Sequence, residues 1–301
     1  MPQYPHHDLE DLARQLEGCG DFRVLRRLVP RPTTPTPVDY SGRIGVIIDV
    51  ETTGLDHTTD EVIELGMVAF RYSAADEITG VSGLFQSFHQ PSIPIPAEVT
   101  KLTGITDEMV LGHTIDPTAV KSFVAAANII IAHNANFDRK FAERAWPIFQ
   151  HKPWACSMKE INWKHNGFTG AKLGYLLAEI GLFHEAHRAV DDCHALVELL
   201  ARPLPGTEAA TLAVLLAHAR RKTLRVWAEH SPFELKDELK RRGYRWSDGS
   251  DGSPRAWHID VGEELHEAEV AFLRDEIYQR DVEIRSQPLT AWERFSARVS
   301  G

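Results

Sequence analysis

The segment Ile44-Gly45-Val46-Ile47-Ile48-Asp49-Val50-Glu51 constrains this chain more than any other. Its apolar, β-branched part is short enough to be a strand buried on both faces, the kind that helices cover above and below. The strand then closes on charge. Asp49 and Glu51 stand at i and i+2, and a side-chain period of two puts both on one face. Two carboxylates so placed repel each other unless something positive lies between them. A hard divalent cation answers that need, because Mg²⁺ and Mn²⁺ prefer oxygen ligands. The plain alternative is a strand end whose acidic residues lead into a turn at Gly54.

The pattern downstream builds a sheet around that strand. Residues 61–72 and 84–89 read as two further strands, giving an antiparallel start. Pro91, Pro94 and Pro96 mark a loop before a short helix at 97–102. A helix at 117–127, a buried strand at 128–132 and a helix near 138–145 follow, then amphipathic helices at 171–180 and 191–200. Antiparallel strands followed by alternating strand and helix describe an α/β fold, a mixed sheet flanked by helices.

This unit is bounded on both sides. Residues 8–29 show helical spacing in Leu9, Leu12, Leu16 and again in Val24, Leu25, Leu28, interrupted by Gly18 and Gly20, which predicts two short helices. Pro30, Pro32, Pro35 and Pro37 then make an extended linker. The expected division is an N-terminal appendage at 1–29, the linker at 30–42, the large domain at 43–205, a connecting helix within 206–222, and a small α+β module at 223–301. In that module we expect a strand at 223–228, a helix at 233–242, a hairpin of 244–246 with 255–259 about a turn at 248–254, and a last helix at 263–278. Lys236, Lys240, Arg241, Arg242 and Arg245 interleave there with Trp227, Tyr244, Trp246 and Trp257. Such a mix suits a nucleic-acid strand held by stacking and phosphate contact. A small tryptophan core beside a solvated basic helix face is the preferred reading, because the segment as a whole is about neutral to slightly acidic.

Composition excludes some classes. No apolar run reaches the ~18 residues a membrane helix needs. The first residues lack the basic-then-apolar order of a secretory signal, and the three scattered cysteines fit a reducing cytoplasm. The net charge of −10 argues against a phosphate-binding surface. A carboxylate site for divalent cations is nevertheless acidic by construction, so motifs decide the partner.

Two more motifs carry chemistry. His133-Asn134-Ala135-Asn136-Phe137-Asp138 follows the buried strand at 128–132, where ligand sites gather in such sheets. His187-Arg188-Ala189-Val190-Asp191-Asp192 opens the helix at 191–200. Taken singly, each aspartate is explained as a helix cap and each histidine as a solvated loop residue.

Together, Asp49-x-Glu51-Thr52-Thr53-Gly54, His133-Asn134-Ala135-x-Phe137-Asp138 and His187-x-Ala189-x-x-Asp192 resemble, in order and spacing, the motifs of the DEDDh 3′–5′ exonucleases. That family includes polymerase proofreading subunits of the epsilon kind, oligoribonuclease, ribonuclease T and exonuclease X. Leu102-Thr103-Gly104-Ile105-Thr106 and Trp154-x-Cys156-Ser157-Met158-Lys159 look like the family as well. The resemblance covers roughly residues 43–204.

The resemblance implies a ribonuclease H-like mixed sheet and an enzyme that removes nucleotides one at a time from a 3′ end. It implies two divalent cations, Mg²⁺ or Mn²⁺, with Asp49, Glu51 and Asp192 holding one, Asp49 bridging to the second, and Asp138 supporting that second ion. His187 would be the general base that takes a proton from the attacking water. The family spacing selects Asp192 over Asp191 and His187 over His184. Thr52, the backbone around Thr53, Gly54 and Leu55, and the Leu55 side chain as an apolar wedge would contact the terminal nucleotide. Asn134 belongs to the same substrate-facing group. His133 would be structural or substrate-orienting, Phe137 would pack beneath the site or serve the core, and Glu64 would serve as a hydrogen-bonding residue on the neighbouring strand.

The expected partner is a nucleic acid with a free 3′ end. DNA is favoured because the appended module suggests repair or processing. An oligoribonuclease- or ribonuclease T-like RNA exonuclease is the alternative. A catalytically silent fold serving as a polymerase-associated binding subunit is another, but all five key residues are present and no polymerase-binding peptide stands out.

Overall fold

The computed structural model describes residues 6–37, 39–249 and 252–299. The first residues of the N-terminal appendage and the middle of the 248–254 turn lie outside this set.

Helix α1 (His6–Gly18) opens the chain. The second short helix expected before residue 29 does not form. In its place Arg26–Arg27 is a two-residue strand, β1, paired in parallel with Leu182–Phe183. The reason is hydrogen bonding. A helix so short leaves most of its backbone groups unsatisfied, whereas here the Arg26 N–H donates to Gly181 O at 2.9 Å and the Leu28 N–H to Phe183 O at 2.7 Å. The proline-rich linker then runs extended beside the large sheet, with Thr33 bridging to Val81.

The large sheet is built from β2 (Arg43–Thr52), β3 (Val62–Tyr72) and β4 (Ile78–Phe88). Helices α2 (Ala97–Thr103), α3 (Asp107–Val110) and α4 (Pro117–Val124) come next. Then follow β5 (Ile129–Ala132), α5 (Ala135–Ala145), β6 (Trp154–Cys156), α6 (Ser157–Glu160), α7 (Leu173–Glu179), β7 (Leu182–Phe183), α8 (Ala189–Ala201) and α9 (Thr211–Ala219). The strand order is β4-β3-β2-β5-β6. β2 runs antiparallel to β3 and parallel to β5, and β6 continues parallel to β5. This is the mixed α/β sheet expected from the sequence.

The alternation along β2 divides the core. Val46, Ile48 and Val50 pack into one apolar cluster with Phe141 and Trp154, and Ile47 joins another with Leu196 and Leu200 of α8. Asp49 and Glu51 share the Ile47 face, so they emerge beneath α8. That helix lies very close to the sheet. A Cβ at Gly66, the residue paired with Asp49 on β3, would fall 2.4 Å from the Ala189 carbonyl carbon and 2.5 Å from the Val190 nitrogen. Only glycine admits this approach.

The C-terminal part holds a four-stranded sheet of β8 (Thr223–Ala228), β9 (Arg245–Trp246), β10 (Trp257–Gly262) and β11 (Ser286–Leu289), in the order β11-β8-β10-β9. Helices α10 (Lys236–Arg242) and α11 (His266–Phe272) pack on it around Leu239, Tyr244 and Leu273. The expected hairpin is present as β9 and β10. β11 is not legible in the sequence, because Pro288 demotes a strand pattern. It is tolerated here on an edge.

The last residues return to the large sheet. Trp154 N–H donates to Ala291 O at 2.7 Å. Arg139 of α5, fully buried, donates to Glu143 at 2.7 Å and to the carbonyls of Trp292 and Arg294, both at 2.6 Å. Arg294 in turn pairs with the buried Glu160. The tail is thereby built into the core of the first unit.

Candidate active site

Three carboxylates from two distant segments meet at the end of β2. Single ligand oxygens of Asp49, Glu51 and Asp192 all lie within 4.8 Å of one another. Asp49 and Glu51 come from alternate positions of one strand. Asp192 comes from the first turn of α8, which Gly66 allows to sit against the sheet. Asp191, its neighbour in sequence, is not in the cluster.

Asp138 approaches from the other side. It is buried in the first turn of α5, and its Oδ1 accepts the Val50 N–H at 3.2 Å. The helix begins three residues earlier than the sequence suggests, with Asn134 preceding it at φ 92. Asp138 is therefore a helix-interior carboxylate aimed at β2, and the capping explanation does not apply.

The electrostatics of this arrangement are unfavourable without a counter-charge. Burial holds the Asp49 carboxyl well above its ordinary range, and the charges of Asp138, Asp192 and Glu51 raise it further. Glu51 is pushed up to about 8 by burial and then by Asp192. Asp138 is pushed up to about 8 by burial, against the opposing backbone hydrogen bond from Val50. The donor set consists of hard oxygens alone. Cys193, behind the cluster, faces the carbonyls of Ile47 and Gly66. These residues fit a hard divalent cation, which would supply the missing charge.

The loop before α8 brings two histidines to Asp192. The His184 Nε2 lies 2.7 Å from Asp192 Oδ1. His187 meets the same carboxylate through its backbone N–H, at 2.9 Å to Oδ2, while its side chain is exposed. His187 also adopts a φ of 67, a left-handed conformation that non-glycine residues adopt uncommonly. The family spacing thus identifies the loop, but the imidazole that holds Asp192 is that of His184. Its position eight residues before Asp192 belongs to no motif, so nothing in the sequence pattern marks the contact.

Glu64 is fully buried on β3, opposite Glu51. It accepts the Ala189 N–H at 3.2 Å, pairs with Arg188 at 3.1 Å and takes a bond from Gln86 at 2.7 Å. It thereby anchors the start of α8, a structural hydrogen-bonding part. Arg188, which no motif singles out, supplies the balancing charge.

His133 has burial lowering its pKa to about 4, so it is neutral. Its Nε2 lies 2.7 Å from Ala171 O and must donate there, leaving Nδ1 to accept from Ser157 at 2.8 Å. The ring pins the 157–171 segment beside the site. Phe137 meets Phe141 with centroids 4.9 Å apart and ring planes tilted by 49°, and packs on the apolar core.

At the end of β2, Thr52 Oγ1 donates to Gly54 O at 2.5 Å and Thr53 Oγ1 to Asp60 at 3.2 Å. These bonds fix the backbone of the turn. Leu55 beyond it is 86% exposed, an apolar side chain held out into solvent.

The fold and the acidic cluster define a class. The exonuclease family model matches residues 46–200, and the chain belongs to that family. Among curated relatives, the DNA polymerase III subunit epsilon of Treponema pallidum is 31% identical over 160 residues, covering 50% of this chain and 72% of that one. A PolC-type DNA polymerase III from Caldanaerobacter subterraneus subsp. tengcongensis is 31% identical over 183 residues, 58% of this chain. This chain spans only 12% of that polymerase's length. Among solved structures, exonuclease X in complex with 5′ overhanging duplex DNA aligns at 23% identity and a TM-score of 0.41, over 57% of this chain and 98% of that one.

Proposed function

We propose that this chain is a metal-dependent 3′–5′ exonuclease that hydrolyses the terminal phosphodiester bond of a nucleic acid, DNA in preference to RNA, and releases nucleoside monophosphates. The observation that carries this is the convergence of Asp49, Glu51 and Asp192 within 4.8 Å in an otherwise repulsive cluster. In this reading Asp49, Glu51 and Asp192 hold one cation, and Asp138 with Asp49 holds a second, Mg²⁺ or Mn²⁺. When bound, such ions acidify the attacking water and neutralise charge on the phosphate. The chain's own residues do the rest. His187, exposed on its loop, takes the proton from the attacking water. His184 keeps Asp192 oriented. Thr52, Thr53 and Gly54 hold the turn against the terminal nucleotide, and Leu55 separates the last bases. His133 and Asn134 frame the pocket, and Phe137 supports it from below.

DNA is supported by the relatives, which are DNA polymerase III proteins. An RNA substrate, as for oligoribonuclease, is the second outcome of the same assay. We place the catalytic unit at 43–205, with 1–29, the linker at 30–42, the connection at 206–222 and the module at 223–301, whose tail returns to the catalytic unit, and the protein in the cytoplasm with a repair or polymerase partner. Among the described residues no helix is long and apolar enough to cross a membrane. End-labelled digestion of single- and double-stranded DNA and RNA with Mg²⁺, Mn²⁺ or EDTA tests the proposal. A ladder shortening from the 3′ end only when metal is present supports it. Shortening from the 5′ end, or none on any substrate, overturns it. Pull-down with polymerase tests the silent-subunit alternative.

A further inference from the structure

A cleft of about 500 Å³ lies between the large sheet and the C-terminal sheet, and of its lining only Asn134 has a part in the reaction above. One wall carries Asn134 and Asn136 at the start of α5, Lys140 one turn on, and Lys159 of α6. The other carries Arg225 of β8, Arg245 of β9 and part of the returning tail. A second hollow of about 420 Å³ continues from Lys140, Arg225 and Arg245 past Trp227 and Trp246. The first hollow takes in Asn134, the residue that follows His133 in the second motif.

Its charge runs against that of the protein. Lys140, Lys159, Arg225, Arg245 and Arg294 face Glu160, Asp248 and Asp260, five cations against three carboxylates, in a chain of net charge −10. Arg294 is committed to Glu160. Arg225 grips Asp260 through two bonds of 2.7 and 2.9 Å. Arg245 reaches the same carboxylate at 3.3 Å with its side chain 60% exposed, so one anion serves two guanidinium groups. Lys140 and Lys159 have no ion-pair partner among the described residues. By contrast, three of the four cations of α10 are paired, and the fourth, Lys236, lies over the Phe233 ring. Lys240 pairs with Asp237, Arg241 with Glu238 and Arg242 with Glu269. Trp227 and Tyr244 are buried, as a tryptophan core requires, but Trp246 is 50% exposed at the mouth of the second hollow.

We infer that this groove carries the single-stranded segment that leads to the 3′ terminus, its phosphates along Lys140, Lys159 and Arg245 and a base against Trp246. The inference rests on the exonuclease reading for its direction, because the groove's lining includes Asn134 and Asn136 of the same motif that carries Asp138. A strand rather than a duplex fits, since a base must be unpaired to offer its face to the indole. The C-terminal module then acts as a substrate grip that sets how many nucleotides the enzyme senses.

The test compares binding of oligothymidylates of about 4 and about 16 nucleotides, the span over which such grooves differ. Affinity is read by fluorescence anisotropy with the 301-residue chain in Ca²⁺. The longer strand should bind at least about tenfold more tightly to the unaltered protein. Lys140→Glu with Arg245→Glu should collapse that ratio to about one, and should lower the salt slope of binding by roughly 0.7 for each phosphate no longer neutralised. Trp246→Ala should reduce the ratio about fivefold or more with the salt slope unchanged. Lys140→Gln with Arg245→Gln, milder for folding, should give an intermediate ratio.

A ratio near one in the unaltered protein, or an undiminished ratio in the folded double variant, overturns the inference. So does a duplex that binds as tightly as the single strand with Trp246→Ala silent. Cleavage of the short oligonucleotide in Mn²⁺ is scored separately. If no cleavage occurs, the catalytic reading fails while the length ratio still reports on the groove.

Discussion

Replacing Asp49 by asparagine should stabilise the metal-free protein and at the same time erase its response to Mn²⁺. The Asp49 carboxyl lies where burial and four neighbouring carboxylates all disfavour its charge. Glu51 and Asp138 are pushed up to about 8 in the same cluster. Folded-state values above the unfolded ones mean that the folded protein binds more protons than the unfolded chain between about pH 4 and 8. Stability of the metal-free protein is then present below that window and falls as pH rises through it. Each unit of displacement is worth about 1.4 kcal/mol. Removing one charge from a group that only partly ionises should recover about 1–3 kcal/mol. For a chain of this size, that raises Tm by roughly 2–5 °C. Mn²⁺ at about 100 times its Kd adds about 2.7 kcal/mol to the unaltered protein, a comparable rise in Tm. Differential scanning calorimetry in EDTA and in Mn²⁺, at pH 6 and pH 8, reads both effects. The expected result is a higher Tm in EDTA for Asp49→Asn, most clearly at pH 8, with little further rise on adding Mn²⁺. A lower Tm in EDTA, or an undiminished Mn²⁺ shift, would refute the reasoning.

Other outcomes follow from the same geometry. His187→Ala should lower kcat by about 10²–10⁴ and flatten the acid limb of the pH–rate profile, whereas His184→Ala should act through weakened Mn²⁺ binding, seen by calorimetric titration. If His184→Ala alone removes the acid limb, the two histidines exchange roles. Arg139→Met leaves the Trp292 and Arg294 carbonyls without a donor and takes one from Glu143, which keeps Arg298 and Ser296, and one from Ala291, which keeps the Trp154 N–H, and should cost about 2–4 kcal/mol in urea denaturation. A loss below about 1 kcal/mol would show that the tail is not part of the core. Gly66→Ala should lift α8 from the sheet and reduce turnover more than it reduces substrate affinity, checked by separate kcat and KM.

Much of this is legible because the sheet is written in local signals. The alternation in residues 44–51 fixes which side chains of β2 face α8, and hence that Asp49 and Glu51 emerge together. Glu64 reads from its strand position as a hydrogen-bonding residue and is one. The rest depends on distant packing. No pattern marks Gly66 as the seat of α8, or Arg139 as the socket for residues 291–294. Spacing favours His187 over His184, yet it is the His184 ring that meets Asp192. Spacing records position along the loop but not the direction of each ring, and the loop turns at His187 through a left-handed φ. The second N-terminal helix fails for the opposite reason. A short apolar repeat carries a helical signal, and a free edge at residues 181–183 offers better hydrogen bonds.

Anomalous diffraction from crystals soaked in Mn²⁺ tests the central claim most directly. The account predicts a manganese peak among the Asp49, Glu51 and Asp192 carboxylates, lost in Asp49→Asn crystals soaked in the same way. Manganese found elsewhere, with these three carboxylates left without an ion between them, would contradict it.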